Sequence, residues 1–147
     1  MTLPPPSDPV VDVDLSGVRE VLVRHGVQVA WLFGSRAEGT ARAGSDVDMG
    51  VLLPEGASWL AGEEVASALR SILPVDVDVV DLRTASLELQ AKVVQTGRLL
   101  HSTDEVRRVR FVTDTRSRWF DFAPFQRRLA EAYLARVADR GFQHGRP

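Results

Sequence analysis

Residues 28–33 form the apolar segment that most restricts how this chain can fold. The run Gln-Val-Ala-Trp-Leu-Phe is nearly continuous in apolar character and ends at Gly34-Ser35. A short apolar run that stops at turn residues is typical of a β-strand covered on both faces. We therefore expect a sheet with other elements packed on each side of this strand.

Two further segments have the pattern of strands. Residues 46–53 begin with the alternation Asp-Val-Asp-Met, and residues 75–82 alternate valine with aspartate. Alternation and β-branched side chains both favour strands over helices. The remaining elements predicted from apolar spacing and turn residues are a short helix that ends near Gly26, helices over 35–41, 58–72 and 85–95, and a short strand over 98–101. The predicted fold class is α/β (α+β), a small mixed β-sheet flanked by helices with a C-terminal helical appendage.

The chain is predicted to contain one domain with two terminal additions. Residues 1–13 are rich in proline and are expected to be a disordered tail, and residues 14–102 are expected to form the core. Residues 103–147 are predicted to be a basic helical extension of the same domain. Because the proline ring disrupts a continuous helix, Pro124 is expected to divide this extension into helices over 103–120 and 124–140.

Cysteine and histidine usage limits the chemistry that this chain can perform. There is no cysteine among the 147 residues, which excludes a disulfide scaffold, a thiolate zinc site and a cysteine nucleophile. The three histidines are scattered, so a bound metal is expected to be a hard cation held by carboxylates. No apolar run fits a signal peptide or a membrane span, and we expect a cytoplasmic protein.

The formal charge of −2 hides two parts of opposite sign. Residues 1–106 carry 16 acidic and 8 basic side chains, whereas residues 107–147 carry 4 acidic and 10 basic ones. The basic part could present a cationic surface to a macromolecular partner, or it could be a solvated helix face whose arginine stems cover apolar surface. The arginines concerned are Arg107, Arg108, Arg110, Arg116, Arg118, Arg127 and Arg128. No loop interleaves basic and aromatic residues, so the pattern does not favour direct nucleic-acid binding.

The turn Gly34-Ser35 is a candidate phosphate site. Glycine lets the backbone approach a ligand closely, and a helix that begins at Ser35 would point free N–H groups towards an anion. The Ser35 hydroxyl could add a hydrogen bond to a phosphate oxygen. The alternative is a tight strand-to-helix turn capped by serine, with no ligand.

Aspartates on the second and third predicted strands form a candidate cation site. Asp46 and Asp48 are two residues apart, so both would lie on one face of a strand. If the third strand is adjacent, Asp76 or Asp78 could reach the same place, whereas Asp81 would lie on the opposite face. Clustered carboxylates repel one another unless a cation neutralises them, which favours magnesium. The alternative is a solvated strand face.

These motifs together resemble a known family. Gly34-Ser35, ten intervening residues, the Asp46-Val47-Asp48 triplet and a later strand aspartate resemble the nucleotidyltransferase superfamily that includes DNA polymerase β. More narrowly, the chain resembles the minimal nucleotidyltransferase (MNT) antitoxins that are encoded beside HEPN-domain toxins. The resemblance covers residues from about 15 to 140.

The resemblance implies a role for each of these residues. Gly34 and Ser35 would hold the triphosphate of ATP, and Arg36 would be a further phosphate contact. Asp46 and Asp48 would bind two Mg²⁺ ions, and Asp78, with Asp76 as its rival, would be the third carboxylate and help to deprotonate the acceptor hydroxyl. The chain would transfer AMP to a tyrosine of a HEPN toxin with which it forms a hetero-oligomer.

Two other functions remain open from the residues alone. The acceptor could be the hydroxyl of a small antibiotic, although a chain of this length leaves little room for a substrate domain. The chain could also neutralise a partner by binding without catalysis.

Overall fold

The computed structural model describes residues 15–42 and 44–144, which contain one four-stranded sheet with helices on both faces. In chain order the elements are α1 (Val18–Arg24), β1 (Val29–Phe33), α2 (Ser35–Glu38), β2 (Val47–Leu52), α3 (Ala61–Arg70), β3 (Val77–Asp81), α4 (Leu87–Thr96), β4 (Arg98–Ser102) and α5 (Glu105–His144). The predicted fold class is confirmed. The predicted disordered tail, residues 1–13, lies outside the described residues.

The sheet has the strand order β3-β2-β1-β4. β2 and β3 are parallel, whereas β1 is antiparallel to both β2 and β4. Alternate side chains of β1 enter two different cores. Leu32 packs with residues of α1 and α3, and Trp31 packs with residues of α4 and α5 on the other face. The expectation that this strand is covered on both sides is confirmed.

The C-terminal extension is one helix, and the predicted break at Pro124 is wrong. α5 runs for 40 residues with Pro124 in its interior. A proline inside a helix removes one N–H and crowds the carbonyl four residues earlier, which here is that of Phe120. Because Phe120 is 81% exposed, water can reach the helix at this turn and hydrogen-bond the carbonyl that has lost its partner.

The first half of α5 packs against the domain, and in the second half Gln126 donates to the Glu88 carboxylate of α4 at 3.4 Å. The Phe111 ring lies 5.7 Å from that of Trp31 between centroids, and Arg118 donates to the side chain of Gln90 at 3.2 Å. Further along the helix, Tyr133 is 67% exposed. None of the helices in the described part of the chain is long and apolar enough to cross a membrane.

The arginines of the extension do not form a continuous free cationic surface. Arg107 donates to the Leu53 carbonyl at 2.5 Å, and Arg108 pairs with Glu105 at 2.6 Å. Arg118 pairs with an aspartate one turn earlier. The exposed members of the set are Arg110, Arg116, Arg118, Arg127 and Arg128, of which Arg118 is in an ion pair.

Candidate active site

Gly34 directly follows β1 and passes against the carboxylate of Asp48. Its backbone has φ 75° and ψ −155°, a combination that is essentially confined to glycine. A Cβ atom added to Gly34 would overlap Oδ2 of Asp48. The glycine therefore serves two purposes, since it permits the backbone geometry and leaves room for the carboxylate.

Asp48 and Asp78 are directly paired across the parallel strands β2 and β3. Paired residues of adjacent strands carry their side chains on the same face of a sheet. Asp48 is half-buried, and burial is the main cause that raises its pKa. The negative charges of Asp78 and Asp46 raise this pKa further, whereas Lys92 opposes them. The structure therefore brings these three carboxylates within electrostatic reach of one another.

Asp46 lies one residue before β2, whose first residue is Val47 rather than the predicted 46. The Val47 N–H donates to the Asp76 carbonyl at 2.8 Å, which fixes the backbone on the C-terminal side of Asp46. The Asp46 side chain itself is exposed. It can therefore reach a ligand from solvent while its backbone is anchored to the sheet.

The two other aspartates near β3 have different partners. Asp76 accepts a hydrogen bond from Nε of Arg70 at 3.1 Å, and its side chain is 69% exposed. Asp81 follows the alternation of Val77 and Val79, so it lies on the opposite face of the sheet from Asp78, as predicted. Of the rivals Asp76 and Asp78, only Asp78 is paired with Asp48.

Asp81 takes part in an ion pair that joins β3 to the loop after β2. Its carboxylate accepts from Nη2 of Arg83 at 2.7 Å, and the Nη1 group of Arg83 donates to the carbonyls of Pro54 and Ala57 at 2.7 and 3.1 Å. Burial alone would raise the pKa of Asp81, but the hydrogen bonds from Arg83 lower it overall. The pair is therefore a structural feature of the fold.

Replacing Arg83 with methionine is expected to reduce the free energy of unfolding by about 3 kcal/mol, because it leaves the Asp81 charge without its partner. Since the pKa of Asp81 is lowered in the folded state, the ion pair stabilises the fold at neutral pH, and this contribution is lost as the pH falls below the ordinary value of 3.8. Urea denaturation at several pH values would measure both effects. Arg108→Met, which removes a more exposed pair, should reduce the free energy of unfolding much less; equal losses for the two variants would contradict the prediction.

Arg36 is buried, although the sequence predicted a contact with phosphate. Its side chain is 4% exposed, and Nε and Nη2 both donate to the Ser45 carbonyl, at 3.0 and 2.6 Å. Ser35 is half-buried at the start of α2. This helix has four residues instead of the predicted seven and ends at Glu38, where the following Gly39 has a φ of 76°.

The acidic groups have the chemistry of a magnesium site. Carboxylate oxygens are the ligands that Mg²⁺ prefers, and a cation would relieve the repulsion that raises the pKa of Asp48. Within residues 15–42 and 44–144, no three histidine, aspartate or glutamate side chains are already as close as an assembled metal site requires. Side-chain rotation would be needed to bring all three carboxylates onto one ion.

Lys92 is a residue of this region that the sequence did not reveal. It is the only lysine in the chain, and its charge reaches Asp48 from α4. The side chain of Val93, the next residue, packs closely over Gly50 of β2, which explains why α4 approaches this strand. No sequence pattern could have joined positions 48 and 92, because only the packing of α4 brings them together.

Comparison with known proteins agrees with this geometry. Residues 17–106 match the family model of the polymerase beta nucleotidyltransferases. The chain belongs to this family. The match includes the Gly34 turn and all the strand aspartates described above, so the resemblance noted from the sequence is confirmed.

Relatives of this nucleotidyltransferase are proteins of toxin–antitoxin systems. Protein adenylyltransferase MntA of Shewanella oneidensis is 42% identical over 79 residues, which are 54% of this chain and 57% of the relative. This chain therefore matches just over half the length of that curated relative.

Solved structures of the same kind match over more of the chain. A toxin–antitoxin crystal structure with AMP-PNP has a TM-score of 0.72 and 30% identity, and the match covers 82% of this nucleotidyltransferase and 98% of that chain. A complex of tri-AMPylated HEPN toxin from Shewanella oneidensis with MNT antitoxin has a TM-score of 0.63 and 29% identity, covering 78% and 91% of the two chains.

Proposed function

We propose that this nucleotidyltransferase is a Mg²⁺-dependent protein adenylyltransferase that transfers AMP from ATP to a tyrosine hydroxyl of a HEPN toxin and thereby acts as its antitoxin. The observation that carries the proposal is the contact of the Gly34 backbone with Asp48, which is paired with Asp78. A candidate triphosphate turn and a pair of carboxylates are thus adjacent. The relatives, an adenylyltransferase and MNT antitoxins in complex with HEPN toxins, support the same reaction.

Each residue of the site has a role in this reaction. Gly34 and Ser35 would hold the triphosphate through backbone N–H groups and the serine hydroxyl. Asp46, Asp48 and Asp78 would hold Mg²⁺, with two ions expected, and the metal would neutralise the triphosphate and stabilise the pyrophosphate that leaves. Asp78 would accept the proton of the tyrosine hydroxyl. The tyrosine oxygen forms a bond with the α-phosphorus, and the bond from this phosphorus to the pyrophosphate oxygen breaks.

The proposed acceptor is a protein because the described chain consists of the sheet, its covering helices and α5, with no separate substrate domain. The toxin would present its own tyrosine to the carboxylates. A complex of the two proteins follows from this arrangement, and we place the reaction in the cytoplasm, where ATP is available.

The proposal is tested with the purified chain, the HEPN protein encoded by the adjacent gene, Mg²⁺ and ATP labelled at the α-phosphate. We expect label on the toxin, located on tyrosine by mass spectrometry. ATP labelled at the γ-phosphate should leave the toxin unlabelled, because that phosphate departs with pyrophosphate. EDTA should stop the transfer.

Two results would overturn the proposal. Label on an aminoglycoside or lincosamide, but not on the toxin, would identify a small-molecule acceptor. Neutralisation of the toxin at a one-to-one ratio without any label would show that binding alone is the activity.

A further inference from the structure

Ser45 is held by several hydrogen bonds within the loop that connects α2 with β2. Its N–H donates to the Arg42 carbonyl at 2.9 Å, and its Oγ accepts from the Arg42 N–H at 2.8 Å. Its carbonyl accepts the two hydrogen bonds from Arg36. Both backbone polar groups of Ser45 and its hydroxyl are therefore engaged, immediately before Asp46.

The two hydrogen bonds from Arg36 to the Ser45 carbonyl are partly buried, and the Arg36 side chain that donates them is buried. A guanidinium presents its donors in a rigid fork, and hydrogen bonds from a charged donor are about twice as strong as neutral ones. Arg36 lies in α2, one residue after Ser35, so it connects the candidate phosphate turn with the residue that precedes Asp46. On the other side of Asp46, the hydrogen bond from the Val47 N–H to the Asp76 carbonyl holds the backbone to the residue that precedes β3.

We propose that Arg36 is a positioning residue that sets the distance between the Gly34-Ser35 turn and Asp46, rather than a direct ligand of the triphosphate. The inference rests on the proposed function, because it concerns the alignment of a phosphate site with a metal site. A cation held by Asp46 must contact phosphates held at the turn. The Arg36 guanidinium, bound to the Ser45 carbonyl, keeps the distance between Asp46 and the turn constant. A misplaced carboxylate weakens metal binding without changing any metal ligand.

Arg36→Lys is the most direct test, since lysine keeps the charge but cannot form the fork. Binding of Mn²⁺ in the presence of AMP-PNP, followed by electron paramagnetic resonance, should weaken by about 10- to 100-fold. Binding of AMP-PNP in EDTA should stay within about twofold of the wild type. Arg42→Lys is the matched control, because the Arg42 side chain is exposed and only its backbone contacts Ser45; this variant should bind Mn²⁺ as the wild type does.

A loss of AMP-PNP affinity in EDTA, with Mn²⁺ binding otherwise unchanged, would overturn the inference and identify Arg36 as a phosphate ligand. Unchanged binding of both would overturn it as well. If Arg36→Lys does not fold, Arg36→Gln is the second test, because an uncharged amide cannot form the two-pronged contact with the Ser45 carbonyl. Mn²⁺ affinity in the presence of AMP-PNP should again fall by about tenfold or more, and unchanged Mn²⁺ affinity would contradict the inference.

These binding measurements do not depend on the identity of the acceptor. If the wild-type chain binds Mn²⁺ and AMP-PNP but transfers no AMP to the HEPN protein, the proposed function fails while the role of Arg36 remains open to the same test. If transfer occurs and Arg36→Lys binds Mn²⁺ normally, only the inference about Arg36 fails.

Discussion

Replacing Asp48 with asparagine is expected to reduce AMP transfer by roughly 10³-fold or more, the scale on which the removal of a transition-state-stabilising group is felt. Asparagine has nearly the same shape but no negative charge with which to hold a cation beside Asp78. Single-turnover transfer of labelled AMP to the HEPN protein would measure the loss, and the toxin should remain active in cells that carry the variant.

The same substitution should not weaken the fold. Because burial and the charges of Asp78 and Asp46 raise the pKa of Asp48, its ionised form is disfavoured in the folded state. The contribution of Asp48 to stability is therefore present at low pH and lost as the pH rises through its folded-state pKa. At neutral pH in metal-free buffer, Asp48→Asn should leave Tm unchanged or raise it. A lower Tm would show that the carboxylate stabilises the fold by contacts that these charges do not explain.

Asp76→Asn is the matched control for the third carboxylate. Asp76 is exposed and pairs with Arg70, so its removal should leave transfer intact and cost less than about 1 kcal/mol. Asp78→Asn should instead remove transfer, as Asp48→Asn does. Loss of transfer in Asp76→Asn together with normal transfer in Asp78→Asn would reverse the assignment of the two residues.

Gly34→Ala is expected to have the second-largest effect, because it places a methyl group against the Asp48 carboxylate in a backbone conformation that suits only glycine. The backbone strain alone is about 1–3 kcal/mol. The overlap with Oδ2 of Asp48 must move either the turn or the carboxylate, so AMP transfer should fall by at least about 10²-fold, the scale for a small displacement of reacting groups. Thermal unfolding and the transfer assay would measure the two effects.

Gly39→Ala separates the effect of backbone strain from that of the overlap with the Asp48 carboxylate. Gly39 also has a positive φ, of 76°, but it is in the left-handed helical region and has nothing within 4 Å of an added Cβ. The substitution should lower Tm by a few degrees, corresponding to about 1 kcal/mol, and leave most of the transfer activity. If both variants lost transfer equally, the contact between Gly34 and Asp48 would not be the cause.

The strands and the spacing of the candidate site were predictable because they depend on short-range patterns. An apolar run predicted β1, and alternation predicted β2 and β3. Because successive side chains of a strand lie on opposite faces, the three-residue spacing predicted that Asp81 lies on the face opposite Asp78. Local patterns were less informative about Pro124. Its effect on a helix depends on whether the affected turn is exposed, and exposure is a property of the tertiary structure.

Arg36 illustrates the same limit within the site. An arginine beside a candidate phosphate turn is predicted to contact phosphate, since charge is the only property that the sequence displays. The Ser45 carbonyl, nine residues away, is the partner in the structure. The loop after α2 could adopt many conformations, and tertiary packing selects the one that brings the Ser45 carbonyl to Arg36.

By itself, the sequence determined a mixed sheet with buried strands, a glycine turn and the aspartates that could bind a cation, because side-chain alternation and turn chemistry act between near neighbours in the chain. Only the tertiary structure decided that β2 and β3 are parallel, that Asp78 rather than Asp76 is paired with Asp48, and that Lys92 approaches from α4. These relations depend on strand register and helix packing, which are set when distant parts of the chain come together to form the two buried cores.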